Sequence, residues 1–272
     1  MIVIIFIALL FGLIIGSFLN VCIYRLPLDL SVSNPPRSFC PKCEEKIEWY
    51  DNIPVVSYIV LGGKCRHCSQ PIPLRYPIVE LATGLAFAMC VAFLGLTPIA
   101  LKFAIFAAIQ ITLIATDLEE MILPDEFTLG GLGIAIIIAA FVEPGFARLP
   151  EIPATPPMWV WVAGAAGAAA ISGGVIWLVA FLYEKIRHRE GLGMGDVKMI
   201  AMIAAFIGLR GALLTWVLAS LFGAIIGSIL AWSQRRTAAT FEVPFGTFLG
   251  LAALILAAFG TQIERLWAGM SP

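Results

Sequence analysis

The sequence predicts an all-α polytopic membrane protein with about eight transmembrane helices and a small cytoplasmic four-cysteine zinc-binding loop domain. Hydrophobic residues make up 60% of the 272 residues and charged residues only 13%. The mean hydropathy is +0.96, well outside the range of soluble domains. Apolar runs long enough to cross a bilayer recur along the chain, and four cysteines lie in one polar loop.

Apolar runs of roughly 17 to 25 residues mark the predicted spans. They lie near residues 2–24, 78–95, 98–116, 127–142, 158–183, 197–211, 213–232 and 245–262. The first run is too long for the core of a signal peptide, so we interpret it as a retained span. The run at 197–211 is barely long enough to cross, so a re-entrant element is an alternative there.

The distribution of basic residues predicts the orientation, because Lys and Arg favour cytoplasmic loops. Most of the 17 Lys and Arg residues fall in segments 25–77, 185–198 and 233–244. The exceptions are Lys102, Arg148, Arg210 and Arg265. Both termini should therefore face outward, with the loop 25–77 in the cytoplasm. A net charge of −1 offers no basic face, so we expect no nucleic-acid partner.

The polar loop carries two CxxC motifs, CPKC at 40–43 and CRHC at 65–68. Each motif offers two thiolates to one metal ion, and their spacing is typical of a four-cysteine zinc site. Disulfides or a redox CxxC are the alternatives; a reducing cytosol disfavours the first, and the matched pair of motifs disfavours the second. We predict structural zinc, because the loop is too small and polar for a sufficient core. The predicted ligands are Cys40, Cys43, Cys65 and Cys68.

Two aspartates at the ends of apolar runs are the candidate chemical groups, since an ionisable residue this close to hydrocarbon suggests function. Asp117 lies in an acidic segment that would attract a basic peptide, or serve only as a solvated connector. Asp196 follows alternating glycines, which would leave one backbone edge open to an extended peptide. The candidates are Asp117, Glu119, Glu120 and Asp125 in the first segment, and Gly191, Gly193, Gly195, Asp196 and Lys198 in the second.

Two aspartates that share one water can hydrolyse an amide, because the ionised one takes a proton from the water and the protonated one polarises the carbonyl. Like charges held close cannot both ionise easily, so such a pair shares a proton. Other schemes fit poorly: the chain has two histidines and no HExxH helix. The glycine spacing departs from GxGxxG, which leaves a phosphate-binding nest as a weaker alternative.

Several stretches together resemble the bacterial type IV prepilin peptidases, which are polytopic GxGD-type aspartic proteases of the inner membrane. They are GSFLNVCIYRLP at 16–27, the two CxxC motifs, NIP at 52–54, RYPIVE at 75–80, DLEEMILPD at 117–125 and GLGMGDVK at 191–198. By this resemblance Asp117 and Asp196 are the catalytic pair, and Asp125 is a secondary position that could replace Asp117. Glu80 and Lys198 also match family positions, with helix capping or ion pairing as an equal alternative to catalysis.

Members of this family cleave the short basic leader from prepilins and pseudopilins after a glycine, and many then methylate the new N-terminal amine with S-adenosylmethionine. The resemblance implies a first span at 1–24, a cytoplasmic zinc-binding domain at 25–77 associated with methyl transfer, and a transmembrane peptidase domain at 78–272. The glycines at 191–195 would pair with the substrate, and Glu119 and Glu120 would attract its leader. Shorter peptidase-only relatives lack the cysteine loop, which favours the bifunctional form; a peptidase without methyltransferase activity is the alternative.

A proton-coupled transporter is the alternative from another class, because intramembrane carboxylates also mark ion paths. It predicts carboxylates near mid-span and internal repeats with broken helices. The two aspartates instead follow or precede apolar runs at one predicted membrane face, and no repeat is visible in the sequence. A membrane-anchored zinc loop that only binds a partner would leave Asp117 and Asp196 without a role.

Overall fold

A computed structural model of the chain describes residues 1–34, 38–145, 157–188, 192–233 and 243–270, without the side chains of 230–233 and 261–270. Helices dominate these residues and no strand occurs among them, which confirms the all-α prediction. The α-helices are α1 (Ile2–Arg25), α2 (Val56–Val60), α3 (Arg75–Leu94), α4 (Pro98–Glu120), α5 (Asp125–Ala139), α6 (Met158–Arg187), α7 (Met194–Ser233) and α8 (Phe245–Met270). The predictions for Gly191, Arg37, Arg148, Arg189, Arg235 and Arg236 lie outside the described residues.

Five helices in the described part of the chain are long and apolar enough to cross a membrane: α1, α3, α4, α6 and α7. Helix α5 has 15 residues, fewer than the roughly 20 residues of a typical span. Helix α8 has 26 residues, and its side chains are described as far as Gly260. The predicted runs 197–211 and 213–232 both lie in α7, whose helical backbone is interrupted at Gly208 (φ 78°, ψ 167°). The chain is thus a multi-pass helical protein, and the count of eight spans stays a prediction.

The chain divides into two compact units, Met1–Thr116 and Asp117–Pro272. In the first unit α1 packs along α3, and in the second α7 packs against α5, α6 and α8. The four cysteines belong to the first unit, and Asp117 and Asp196 both belong to the second. The predicted division at residues 24 and 77 stays a prediction.

Two glycines of α1 let this helix approach α3 closely. A Cβ atom at Gly16 would lie 2.7 Å from the Cα atom of Glu80, and a Cβ atom at Gly12 would lie 2.8 Å from the Cα atom of Gly84. Backbone atoms cannot rotate away as the end of a side chain can. The contact is therefore of the small-residue type that membrane helices use to pack tightly.

We expect Gly16→Ala to destabilise the protein by about 1 to 3 kcal/mol, as at other overpacked sites, because the added methyl group would overlap the backbone of α3. The thermal unfolding of the purified protein in detergent measures this change. Gly130→Ala is the matched control, since nothing lies within 4 Å of a Cβ atom at that helical position. Equal unfolding temperatures for the two variants would contradict the close packing.

Candidate active site and metal centre

Asp117 lies in the last turn of α4, which ends at Glu120, and the residue is only 5% exposed. Its Oδ2 atom accepts two hydrogen bonds from Thr247, one from the backbone N–H at 2.6 Å and one from the Oγ1 hydroxyl at 2.9 Å. Thr247 belongs to the first turn of α8, where backbone N–H groups have no partner within the helix. The beginning of α8 therefore holds the Asp117 carboxylate.

Asp196 lies in the first turn of α7, which begins at Met194. Its backbone N–H donates a hydrogen bond to the carbonyl oxygen of Gly193 at 3.1 Å. Its carboxyl group is close enough to that of Asp117 for the two to interact electrostatically. The structure thus brings the two predicted aspartates together from the ends of two different helices.

Leu123 packs against the beginnings of both α7 and α8. A Cβ atom at Gly195 would lie 3.1 Å from the Cβ atom of Leu123. A Cβ atom at Gly246 would lie 3.0 Å from the Cδ1 atom of Leu123 and 3.1 Å from the Cγ atom of Asp117. Because Gly195 lies within α7, the role visible for it is this close approach, and the pairing of Gly193 and Gly195 with a substrate peptide stays a prediction.

The secondary candidate Asp125 forms an ion pair with Lys198. The Nζ atom of Lys198 lies 2.7 Å from Oδ1 and 2.9 Å from Oδ2 of Asp125. The Asp125 side chain is 55% exposed, and ion pairs exposed to solvent contribute at most about 1 kcal/mol. Of the alternatives for Lys198, ion pairing is therefore the one observed. Glu119 and Glu120 are exposed at the end of α4.

Glu80, on α3, is a buried carboxylate of the first unit. Its Oε2 atom accepts a hydrogen bond from the backbone N–H of Val55 at 2.8 Å, and the hydroxyl of Ser17 on α1 also donates to it. Val55 has φ 62° and ψ −47°, a strained conformation for a β-branched residue. The next residue, Val56, donates to the Pro54 carbonyl at 2.6 Å, as in a γ-turn. Glu80 thus holds Val55, the residue after the NIP segment, in a strained turn.

The four cysteine sulfurs of the loop converge on one point. All four Sγ atoms lie within 4.8 Å of one another, and those of Cys40 and Cys68 are 3.8 Å apart. Four sulfurs bound tetrahedrally to zinc at about 2.3 Å are about 3.8 Å from one another. The donor set and its spacing therefore fit a zinc ion.

The two CxxC motifs fold into the same turn. In each, the first cysteine exchanges backbone hydrogen bonds with the residues four and five positions later. These bonds join Cys40 to Glu44 and Glu45, and Cys65 to Ser69 and Gln70. The residue after each second cysteine has a positive φ, 60° at Glu44 and 57° at Ser69. Each motif thus presents its two thiols in the same geometry.

Backbone N–H groups also favour a thiolate in this cluster. Those of Cys68 and His67 donate to the Sγ atom of Cys65 and lower the pKa of its thiol to about 6. The thiolate is the form that binds a metal.

Beside the cluster, the Nε atom of Arg66 donates to Oδ2 of Asp51 at 2.7 Å, and this contact lowers the pKa of the Asp51 carboxyl.

Gly246 and Thr247 were not among the predicted site residues, because the last predicted span is distinguished in the sequence only by its hydrophobicity. A small residue and a hydroxyl follow Pro244 at the beginning of α8. Threonine and glycine near a helix start ordinarily indicate only capping. The bond from Thr247 to Asp117 joins residues 130 positions apart, so no local pattern reveals it.

Two family models match the chain: the Bacterial Peptidase A24 N-terminal domain over residues 10–94 and the Type IV leader peptidase family over residues 104–228. Similar proteins named prepilin leader peptidase/N-methyltransferase occur in several bacteria, of which three follow. That of Burkholderia pseudomallei is 32% identical over 96% of this chain and 87% of its own length. That of Pseudomonas aeruginosa is 33% identical over 95% of this chain and 91% of its own length. That of Aeromonas hydrophila is 34% identical over 94% of this chain and 91% of its own length. No solved structure matches the chain.

The multi-pass helical fold and these matches define a membrane-embedded peptidase of the aspartic class. The two models cover most of the chain and leave the segment after residue 228, with Thr247, outside their matches. The chain belongs to the type IV leader peptidase family, among the prepilin leader peptidases/N-methyltransferases. The resemblance noted in the sequence is thereby confirmed.

Proposed function

We propose that this protein cleaves the basic leader of type IV prepilins and pseudopilins after a glycine, and then methylates the new N-terminal amine. Asp117 and Asp196 form the catalytic pair of the peptidase. The observation that carries this assignment is the position of both residues at the ends of apolar helices, close enough for their carboxyl groups to interact electrostatically, within the segment matched by the leader peptidase model. Two adjacent carboxylates supply both the base and the acid that amide hydrolysis needs.

In the proposed reaction the aspartate pair shares one proton. The ionised carboxylate takes a proton from a water molecule, whose oxygen attacks the carbonyl carbon of the leader glycine. The protonated carboxyl group gives its proton to the carbonyl oxygen, which forms a tetrahedral intermediate. As the C–N bond breaks, the proton taken from water passes to the leaving nitrogen and an intermediate hydroxyl returns its proton, so that the pair again holds one proton.

Exposed acidic residues suit the charge of the substrate. Glu119 and Glu120 directly follow Asp117 and its neighbour Leu118 and are exposed, so they would attract a basic leader toward the catalytic pair. We assign the pairing with the extended peptide around the scissile bond to the glycines that precede Asp196. The products are the free leader and a membrane-bound pilin helix with a new amine.

The proposed location is the bacterial inner membrane, with eight crossings, both termini outward and the catalytic pair facing the cytoplasm. Each predicted span coincides with all or part of a helix, and α7 is interrupted at Gly208, four residues before the boundary between the predicted spans 197–211 and 213–232. The excess of Lys and Arg in alternate connecting segments supports the orientation.

We assign one structural Zn²⁺ ion to Cys40, Cys43, Cys65 and Cys68, whose sulfur spacing fits tetrahedral coordination. Four cysteines complete the coordination shell, so the ion has no open position for substrate. Its role is to stabilise the cytoplasmic domain 25–77, in which few residues are buried.

We place the methyl-transfer activity in the first unit, because the peptidase pair lies in the second and the N-terminal domain has its own family model. Bound S-adenosylmethionine supplies an electrophilic methyl group on a positively charged sulfonium. The first unit offers groups that suit a cation: the Glu80 carboxylate, and Oδ1 of Asn20, a 1% exposed residue. In the described part of the chain that oxygen has no hydrogen-bond partner. Glu80 and Asn20 would bind and orient the positively charged donor.

We expect Glu80→Gln to lower methylation of the cleaved product by about tenfold or more, since one lost charge interaction is worth on the order of 1.4 kcal/mol or more. Cleavage should stay within about twofold of the wild-type rate. Glutamine still accepts the hydrogen bond from Val55, so the variant removes the charge but keeps the turn. Methyl transfer from a labelled donor and leader release are measured on the same substrate. The exposed Glu48→Gln is the control, and a parallel fall of both activities would assign Glu80 a structural role only.

The proposed function is tested with detergent-purified protein and a synthetic prepilin. We expect cleavage after the leader glycine, followed by transfer of a methyl group to the new amine in the presence of S-adenosylmethionine. Cleavage without methylation would support the peptidase-only alternative. A pure, folded and metal-loaded protein that leaves the prepilin intact would overturn the proposal.

A further inference from the structure

We propose that Thr247 is a positioning residue for catalysis, which fixes the orientation of Asp117 and selects the oxygen on which that residue can carry the shared proton. The inference rests on the proposed function, in which Asp117 is one of the catalytic pair. The inference goes beyond the proposed function because it gives α8 a part in the reaction. Helix α8 lies outside the matched segment 104–228. Thr247 acts through Asp117 and need not touch the substrate.

The two hydrogen bonds from Thr247 end on the same atom. Both the backbone N–H and the hydroxyl donate to Oδ2 of Asp117, at 2.6 and 2.9 Å. A carboxylate oxygen has two lone-pair positions, so Oδ2 has no room left for a proton while both bonds are made. The proton shared by the aspartate pair can then reside on Asp117 only at Oδ1. Thr247 thereby decides which Asp117 oxygen takes part in proton transfer.

The surroundings make this contact rigid. Asp117 and Thr247 are 5% and 4% exposed, so water does not compete readily for the same donors. Gly246 brings the backbone of α8 so close that a Cβ atom there would lie 3.1 Å from the Cγ atom of Asp117. Catalytic groups work best when buried neighbours lock them in one rotamer. The Gly246–Thr247 pair meets this requirement at the beginning of α8.

The test compares Thr247→Val, which keeps the backbone N–H but removes the hydroxyl, with Thr247→Ser, which keeps both donors. We expect Thr247→Val to lower kcat for cleavage of a synthetic prepilin by about ten- to a hundredfold, as when a charged group loses one hydrogen bond. KM should change little and the pH profile of kcat should shift. Thr247→Ser should recover most of the rate and the original pH profile.

Thr215→Val provides the matched control. Thr215 is fully buried in α7 and its hydroxyl donates to the carbonyl oxygen of Gly211 at 2.8 Å, so this change also removes a buried hydroxyl from the second unit. The inference is overturned if Thr247→Val keeps the wild-type kcat and pH profile, or if Thr247→Ser and Thr215→Val lose as much rate as Thr247→Val. Failure of the proposed function itself would be distinct, because the wild-type protein would then not cleave.

Discussion

Asp117→Asn and Asp196→Asn are each expected to lower the rate of leader cleavage by about 10² to 10⁴-fold, the usual contribution of a general acid or base. Asparagine has nearly the shape of aspartate but can neither take nor give the proton that moves in the reaction. Because the pair works as one proton-sharing unit, the double variant should be little worse than either single variant. Leader release from a synthetic prepilin under single-turnover conditions measures all three rates.

Asp125→Asn is the matched control for these variants. It changes the same functional group in the same acidic segment, but Asp125 lies in an exposed ion pair with Lys198 and should affect cleavage only a few-fold. Methylation of a peptide that begins at the mature N-terminus provides a second readout, which the Asp117 and Asp196 variants should retain if they fold. Loss of cleavage in Asp125→Asn with normal cleavage in Asp117→Asn would reverse the assignment of the first aspartate.

Local pattern was sufficient where the chemistry depends on residues near one another in sequence. The spacing within and between the CxxC motifs predicted four converging sulfurs, which the structure shows. Hydropathy placed Asp117 and Asp196 at the ends of apolar runs, and both lie in terminal turns of long helices. Helix ends at the same membrane face can lie close together. The predicted topology was therefore enough to suggest that the two aspartates form a pair.

Contacts between segments that are far apart in the sequence could not be predicted from local pattern. Nothing near Thr247 indicates that its first-turn N–H and hydroxyl meet a carboxylate 130 positions away. The bond from Val55 to Glu80 is similarly invisible, because it depends on a strained turn packing against α3. Hydropathy also placed the division of α7 at residue 212, between two predicted runs, whereas the structure interrupts the helix at Gly208 through a positive φ that glycine adopts at little cost.

Loss of the metal is expected to have a large effect on the first unit. Cys68→Ser should reduce bound zinc from about one ion per chain to nearly none, since three remaining thiolates bind far more weakly than a closed tetrahedral set. Structural zinc contributes about 10 to 16 kcal/mol in small zinc-binding peptides, so the loop around Cys40–Cys68 should become sensitive to protease. Elemental analysis and limited proteolysis measure the two effects. Cys90→Ser is the control, because Cys90 lies on α3 and outside the cluster.

The same measurement separates zinc from the disulfide alternative. A reductant alone should leave a zinc-bound loop intact, whereas it would open disulfides; a strong chelator should have the opposite effect. Loop opening by reductant without any metal release would therefore contradict the zinc assignment. All residues that we assign to the peptidase pair and its support, from Asp117 to Thr247, lie in the second unit. Leader cleavage should accordingly survive in Cys68→Ser, while methylation of the product should fall together with the zinc content.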